Sequence, residues 1–156
     1  MDYHTGTGKI IYDPRRPGLS KGASWWCILT VDREITRYYR WFIERELWGR
    51  TAVMPGWLCN PSWDAHVSIV RGEKPRTAEA RNSWKKHHGK KLLFQYAHYP
   101  RQAGDTTGEE RNFYFVEVIC PELIEIREEL ELKTFYKFHL TVGRVWEDRL
   151  TRLAPR

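Results

Sequence analysis

Little in this chain could hold a fold together covalently or through a metal. Its three cysteines, Cys27, Cys59 and Cys120, are scattered, odd in number and without CxxC spacing. That excludes a disulfide framework and a zinc knuckle. Reduced, largely buried thiols in a cytosolic compartment are the simpler reading, so cytoplasmic is the expected location. HExxH is also missing. His66, His87, His88, His98 and His139 show no ligand spacing, and no metal is expected. The start, Met1-Asp2-Tyr3-His4, lacks a cationic region followed by an apolar run. No secretory signal, membrane span or membrane partner is expected. Acidic residues are in the minority, 20 against 26 Lys and Arg, for a net charge of +6 and a pI near 9.3. An anionic partner such as nucleotides or RNA fits that balance, although charge alone does not establish binding.

What is present is ordinary globular material with many aromatics. Hydrophobic residues make up 41% and charged residues 29% of 156, which suits a single soluble domain over residues 1–156. Eight Trp and eight Tyr are many for this length, and core packing is the default use of most of them.

Residues 1–23 mix Gly, Pro and Arg and read as an irregular N-terminal arm, with a short strand at Lys9–Tyr12. Ser24–Val31 is rich in aromatic and aliphatic residues and reads as a strand. Asp32 is a natural N-cap, and Ile35, Tyr38, Tyr39, Phe42, Ile43 and Leu47 recur at helical spacing towards Gly49. Further on, the pattern predicts a helix from Thr77 to His88 closed by Gly89 and a strand over Lys91–Tyr99. A polar mobile loop is expected over Arg101–Asn112, then a strand over Phe113–Ile119. Pro121 opens a helix running to Leu132, and Phe135–Val145 reads as a strand. The order strand, helix, strand occurs twice, which suggests a duplication.

The last strand of each copy carries the most informative residues: His66-Val67-Ser68 and His139-Leu140-Thr141. Strand side chains alternate, so His66 and Ser68 share one face while Val67 and Ile69 point to the other. The second copy repeats this, with His139 and Thr141 opposite Leu140 and Val142. Two imidazoles with flanking hydroxyls are the inventory of metal-free phosphodiester chemistry. One neutral His takes a proton, one cationic His gives one, and the hydroxyls hold phosphate oxygens.

HVSIV and HLTVGR resemble the paired motifs of the 2H phosphoesterase superfamily, named for two such histidines. The resemblance covers Ser24 to Val145. Within that superfamily the chain resembles the small phage proteins that destroy the cyclic oligonucleotide signals of the bacterial CBASS defence. One departure is Ser68 where the first motif usually has Thr; both supply a hydroxyl. The resemblance implies an α+β fold of two lobes, with two small, mainly antiparallel sheets facing a central groove and helices outside. It implies His66, Ser68, His139 and Thr141 as the catalytic set and cleavage of 3′–5′ bonds without a cofactor. It also implies a cyclic di- or trinucleotide substrate, with no stable protein partner and no long nucleic acid.

Other residues have weaker claims. Tyr12, Trp25, Trp84, Tyr96 and Trp146 could stack on bases, and Arg71, Lys74 and Arg144 follow the motifs closely enough to reach phosphate. The basic run Trp84–Lys91 reads first as a solvated turn. Two alternatives stay open: an RNA-processing phosphodiesterase acting on 2′,3′-cyclic ends or 2′–5′ links, and a non-catalytic RNA-binding module.

Overall fold

The computed structural model describes residues 2–15, 23–47, 58–59, 64–103 and 113–145. Eight strands and three helices follow in the order β1 (Tyr3–Tyr12), β2 (Trp26–Val31), α1 (Arg33–Leu47), β3 (Leu58–Cys59), β4 (His66–Arg71), α2 (Ala78–Asn82), β5 (Lys91–Ala97), β6 (Arg101–Gln102), β7 (Phe113–Ile119), α3 (Pro121–Glu129) and β8 (Phe138–Val145). The fold is α+β, and every strand pairing is antiparallel.

The sheet order is β3-β8-β4-β2-β1-β5-β7-β6, and a further β8–β7 pairing closes six of the strands into a barrel. The strands are therefore one continuous hydrogen-bonded sheet, where two separate sheets were expected. Closure removes open sheet edges, which exposed strands would otherwise present to water. The ring is uneven. β1 and β5 share seven residue pairs and β7 and β8 six, whereas a single pair, Val67 with Leu140, joins β4 to β8. Two pairs join β5 to β7.

The short strand expected at Lys9–Tyr12 extends back through the arm expected to be irregular and is the longest strand among the described residues. β1 spans Tyr3–Tyr12 and pairs with β2 on one side and β5 on the other. Its Gly6 and Gly8, which read as loop signals, serve close approach. A Cβ on Gly8 would stand 2.4 Å from the Thr30 carbonyl oxygen and 2.7 Å from Leu29 Cγ. Only a residue without a side chain lets β1 lie this close to β2.

Alternation sorts each strand into a core face and an opposite face. Ile10, Leu29, Val67, Val116, Leu140 and Val142 are fully buried and meet in one core. Removing each from water contributes about 1.5–3 kcal/mol. α1 starts where Asp32 Oδ1 accepts the Glu34 N–H at 2.9 Å, as its N-cap reading requires. It sends Ile35, Tyr39 and Ile43 into the core. The Tyr39 hydroxyl donates to the Ala97 carbonyl at 2.8 Å, and Arg40 Nη1 donates to the Val142 carbonyl at 3.1 Å. α2 is shorter than its pattern suggested: turns replace the helix after Asn82, and Thr77, expected as its first residue, caps its start. α3 begins at Pro121 and buries Leu123, Ile126 and Arg127. Among the described residues no helix is long and apolar enough to cross a membrane.

Candidate active site

The two histidine motifs, distant in sequence, lie on neighbouring strands. Val67 of β4 pairs with Leu140 of β8, and both are fully buried in the core. Counting one residue outward along each antiparallel strand sets His66 level with Thr141 and Ser68 level with His139. All four therefore project from the same face, opposite the core, in a crosswise quartet. The resemblance implied two sheets facing one another across a groove; the two histidine strands instead lie side by side in one sheet. In such a ladder, diagonal residues have Cα atoms roughly 7–8 Å apart, with Cβ atoms somewhat closer. His66 and His139 stand in that relation, close enough for both rings to address one phosphate.

His66 is 9% exposed, and its Nδ1 lies 2.9 Å from the Asp64 carbonyl oxygen. A carbonyl oxygen only accepts, so Nδ1 carries the proton. In the neutral ring the lone pair is then on Nε2, the state of a general base. Asp64 presents that carbonyl from a left-handed conformation, φ 61°, which Asp tolerates better than most residues. Arg33, the first residue of α1, binds the Asp64 carboxylate at 2.7 Å. Both side chains are substantially exposed, so the ion pair contributes about 0–1 kcal/mol; its role is to locate Asp64.

His139 has aromatic surroundings. The Phe115 ring meets it edge-on at 5.5 Å, and the Phe113 ring lies nearly parallel to it at 6.2 Å. Phe115 pairs with Thr141 and Glu117 with His139, so β7 flanks the quartet on one side. On the other side β2 places Thr30 opposite His66 and Ile28 opposite Ser68. Ser68 and Thr141 are half-buried.

Beyond Ser68 the ladder shifts: Ile28 pairs with Ser68 but Cys27 with Val70, leaving Ile69 as an extra residue in β4. After this bulge Arg71 pairs with Trp26, and its guanidinium lies 6.0 Å from the Trp26 ring centre. Arg71 is exposed and belongs to the motif face. The following turn needs Gly72 at φ 70°, where the Trp26 indole nitrogen would stand 3.3 Å from any Cβ. Glu73 takes the Arg71 N–H at 3.2 Å and two hydrogen bonds from Arg127. Those hydrogen bonds hold its carboxyl below the usual carboxylate range.

The other sequence candidates lie elsewhere. Tyr12 is a core residue, 3% exposed, and cannot contact a ligand. Its ring packs edge-on against Trp84 at 4.9 Å, and Trp84 packs against Trp25 at 5.1 Å. The Trp84 indole N–H donates to Asp13, and Lys74 lies 5.7 Å from the Trp25 ring centre. Trp25, Trp84 and Lys74 thus form a packed corner with Tyr12, and the structure does not bring them to the quartet. Tyr96 packs between Phe94 and Tyr39, also apart from it. For Arg144 only the backbone is described, paired with Cys59 and Phe113, and Trp146 lies outside the described residues. The basic run is structural: Lys85 pairs with Asp13, Lys86 and His87 with Glu129, and His88 Nδ1 accepts the Tyr12 N–H. Among the described residues no three His, Cys, Asp or Glu side chains are grouped to hold a metal ion.

Trp26, Phe113 and Phe115 were missed. Alternation within WCILTV and FYFVEVI separates their faces, but only strand pairing shows which face carries the histidines. No protein-family model, curated protein or solved structure matches this chain.

Proposed function

We propose that the motif face is the catalytic centre of a phosphodiesterase that needs no metal and opens 3′–5′ bonds of cyclic oligonucleotides. The observation that supports this most is the crosswise register of His66, Ser68, His139 and Thr141 on adjoining strands. His66 Nε2 takes the proton of the ribose 2′-hydroxyl as its oxygen attacks the adjacent phosphorus. The bond from phosphorus to the 5′-oxygen breaks, and His139 gives that leaving oxygen a proton. A 2′,3′-cyclic phosphate results. Water then opens it with the roles reversed, leaving a 3′-phosphate. Ser68 and Thr141 donate hydrogen bonds to the non-bridging oxygens and stabilise the charge that builds there. Each proton-transfer group contributes about 10²–10⁴-fold to the rate.

In this reading the substrate is a cyclic di- or trinucleotide signal of the CBASS type, and the protein serves a phage by removing it. Hydrolysis of 3′–5′ cyclic dinucleotides in the presence of EDTA tests the chemistry. Wild type cuts the ribose ring and spares its 2′-deoxy analogue, and His66→Ala and His139→Ala lose turnover while remaining folded. Equal cleavage of ribose and 2′-deoxy rings refutes internal attack. Substantial activity in either histidine variant refutes the paired mechanism.

A further inference from the structure

Two groups on the motif face lie outside the quartet on opposite sides of it, and neither serves the core. Phe115 stands on β7 level with Thr141, half-buried, its ring against His139. Arg71 stands at the far end of β4, past Ser68 and the bulge, exposed and seated over Trp26. Among the described residues Arg71 makes no ion pair. The Glu73 carboxylate, two residues on, takes its hydrogen bonds from Arg127 and from the Arg71 backbone N–H. The exposed Arg71 guanidinium feels the Glu73 carboxylate only through space, without a salt bridge to it, and its donors face outward where a ligand phosphate could take them.

The separation sets the length of that ligand. From β4 to β7 is two strand spacings, roughly 10 Å. From the level of Thr141 and His66 to Arg71 is about five residues of strand, roughly 15 Å. Phe115 and Arg71 are therefore roughly 15–20 Å apart at the backbone, with the histidines between them and both side chains available to reach inward. A nucleoside with a single phosphate cannot meet both while its phosphate is at the quartet. Two nucleotides joined by the scissile phosphate, with a second phosphate one sugar away, can.

We infer that Phe115 is a base platform and Arg71 a clamp for a second phosphate, so that this site selects an internucleotide linkage over a terminal cyclic phosphate. The inference rests on the phosphodiesterase reading of the quartet and adds the length and charge of the substrate. The second phosphate can belong to a ring or to a linear dinucleotide carrying a 5′-phosphate; both present the same group to Arg71.

Steady-state kinetics on three substrates tests it: a 3′–5′ cyclic dinucleotide, a linear 5′-phosphorylated dinucleotide and a nucleoside 2′,3′-cyclic monophosphate. Arg71→Ala raises KM by tenfold or more for whichever dinucleotides are cut and leaves KM for the mononucleotide unchanged, with kcat little altered. Arg71→Lys recovers part of the loss. Phe115→Ala raises KM on dinucleotides and mononucleotide alike, while Phe115→Tyr retains the wild-type value. A larger effect on the ring than on the linear dinucleotide identifies the ring as the source of the second phosphate, and the reverse identifies the linear chain. An Arg71→Ala effect that is equal on all three substrates, or absent from all, overturns the clamp while leaving the quartet's chemistry intact. Wild type that cuts none of the three overturns the phosphodiesterase reading itself, and this inference with it.

Discussion

Arg127 offers the sharpest test of how the fold supports the site. It lies in α3 with 1% of its surface exposed. Nε donates to the Lys133 carbonyl at 2.6 Å and Nη1 to the Ile69 carbonyl at 2.8 Å. Nη1 and Nη2 grip the Glu73 carboxylate at 3.0 and 2.8 Å. The Tyr136 ring packs over the guanidinium, 4.3 Å from its carbon. Arg127→Met keeps most of the apolar stem and removes every donor. Leaving the buried Ile69 carbonyl unsatisfied costs about 1–3 kcal/mol, and removing one member of a buried ion pair costs about 3–5 kcal/mol, while water can reach the Lys133 carbonyl. The Glu73 side chain is 34% exposed, so water rehydrates its carboxylate. The loss then falls at the lower end, about 3 kcal/mol. For a chain of this size that lowers Tm by about 6–12 °C. Urea unfolding at pH 7 measures it, and a loss below about 1 kcal/mol would refute the assignment.

The acid limb gives an independent check. The Glu73 carboxyl is held below its ordinary range chiefly by hydrogen bonds from Arg127. Such a group stabilises the fold fully above its unfolded value, about 4.3, and loses that contribution as pH falls through the folded value. Wild type therefore loses this increment below about pH 5, and Arg127→Met, which keeps only the smaller part contributed by Arg71, declines less steeply over the same window. Because the Ile69 carbonyl is part of the β4 bulge, the same variant also disturbs the placement of Arg71 relative to Ser68.

Three further outcomes follow from named contacts. Gly8→Ala forces a Cβ to 2.4 Å from the Thr30 carbonyl oxygen, which backbone must yield to accommodate; a loss of about 1–3 kcal/mol or more is expected in thermal unfolding. The Cys120 thiol is pushed up to about 11, first by burial and then by hydrogen bonding to Glu122, and the Cys27 thiol is also raised, mainly by burial. Both resist alkylation in native protein at pH 8 and react on unfolding, as mass spectrometry of the labelled peptides would show. If chemistry limits the rate, kcat/KM on a cyclic dinucleotide follows a bell over the histidine range, around pH 6.5 before environmental shifts. Ser68→Ala or Thr141→Ala lowers kcat without abolishing that bell; a flat profile between pH 5 and 8 would contradict acid–base work by the two rings.

Local pattern carried much of this molecule. The strands at Trp26–Val31 and Phe113–Ile119, the Asp32 cap of α1 and the Pro121 start of α3 stand where side-chain periodicity and capping chemistry put them. These depend on neighbours a few residues apart, which any reader of the chain can see. The same periodicity places His66 with Ser68, and His139 with Thr141, on shared faces opposite the core. It could not tell a closed sheet from two separate ones, because closure depends on which distant strands bond. It read Lys9–Tyr12 as a strand but misread residues 3–8 as irregular, since Gly6 and Gly8 signal a loop locally and a close strand contact only once β2 and β5 are beside them. Tyr12 looked available until the barrel closed over it. That His66 should stand level with Thr141, with Phe115 on one flank and Arg71 on the other, was decided by pairing between strands far apart in the chain. Register is a property of hydrogen bonds across the sheet, and no single segment contains it.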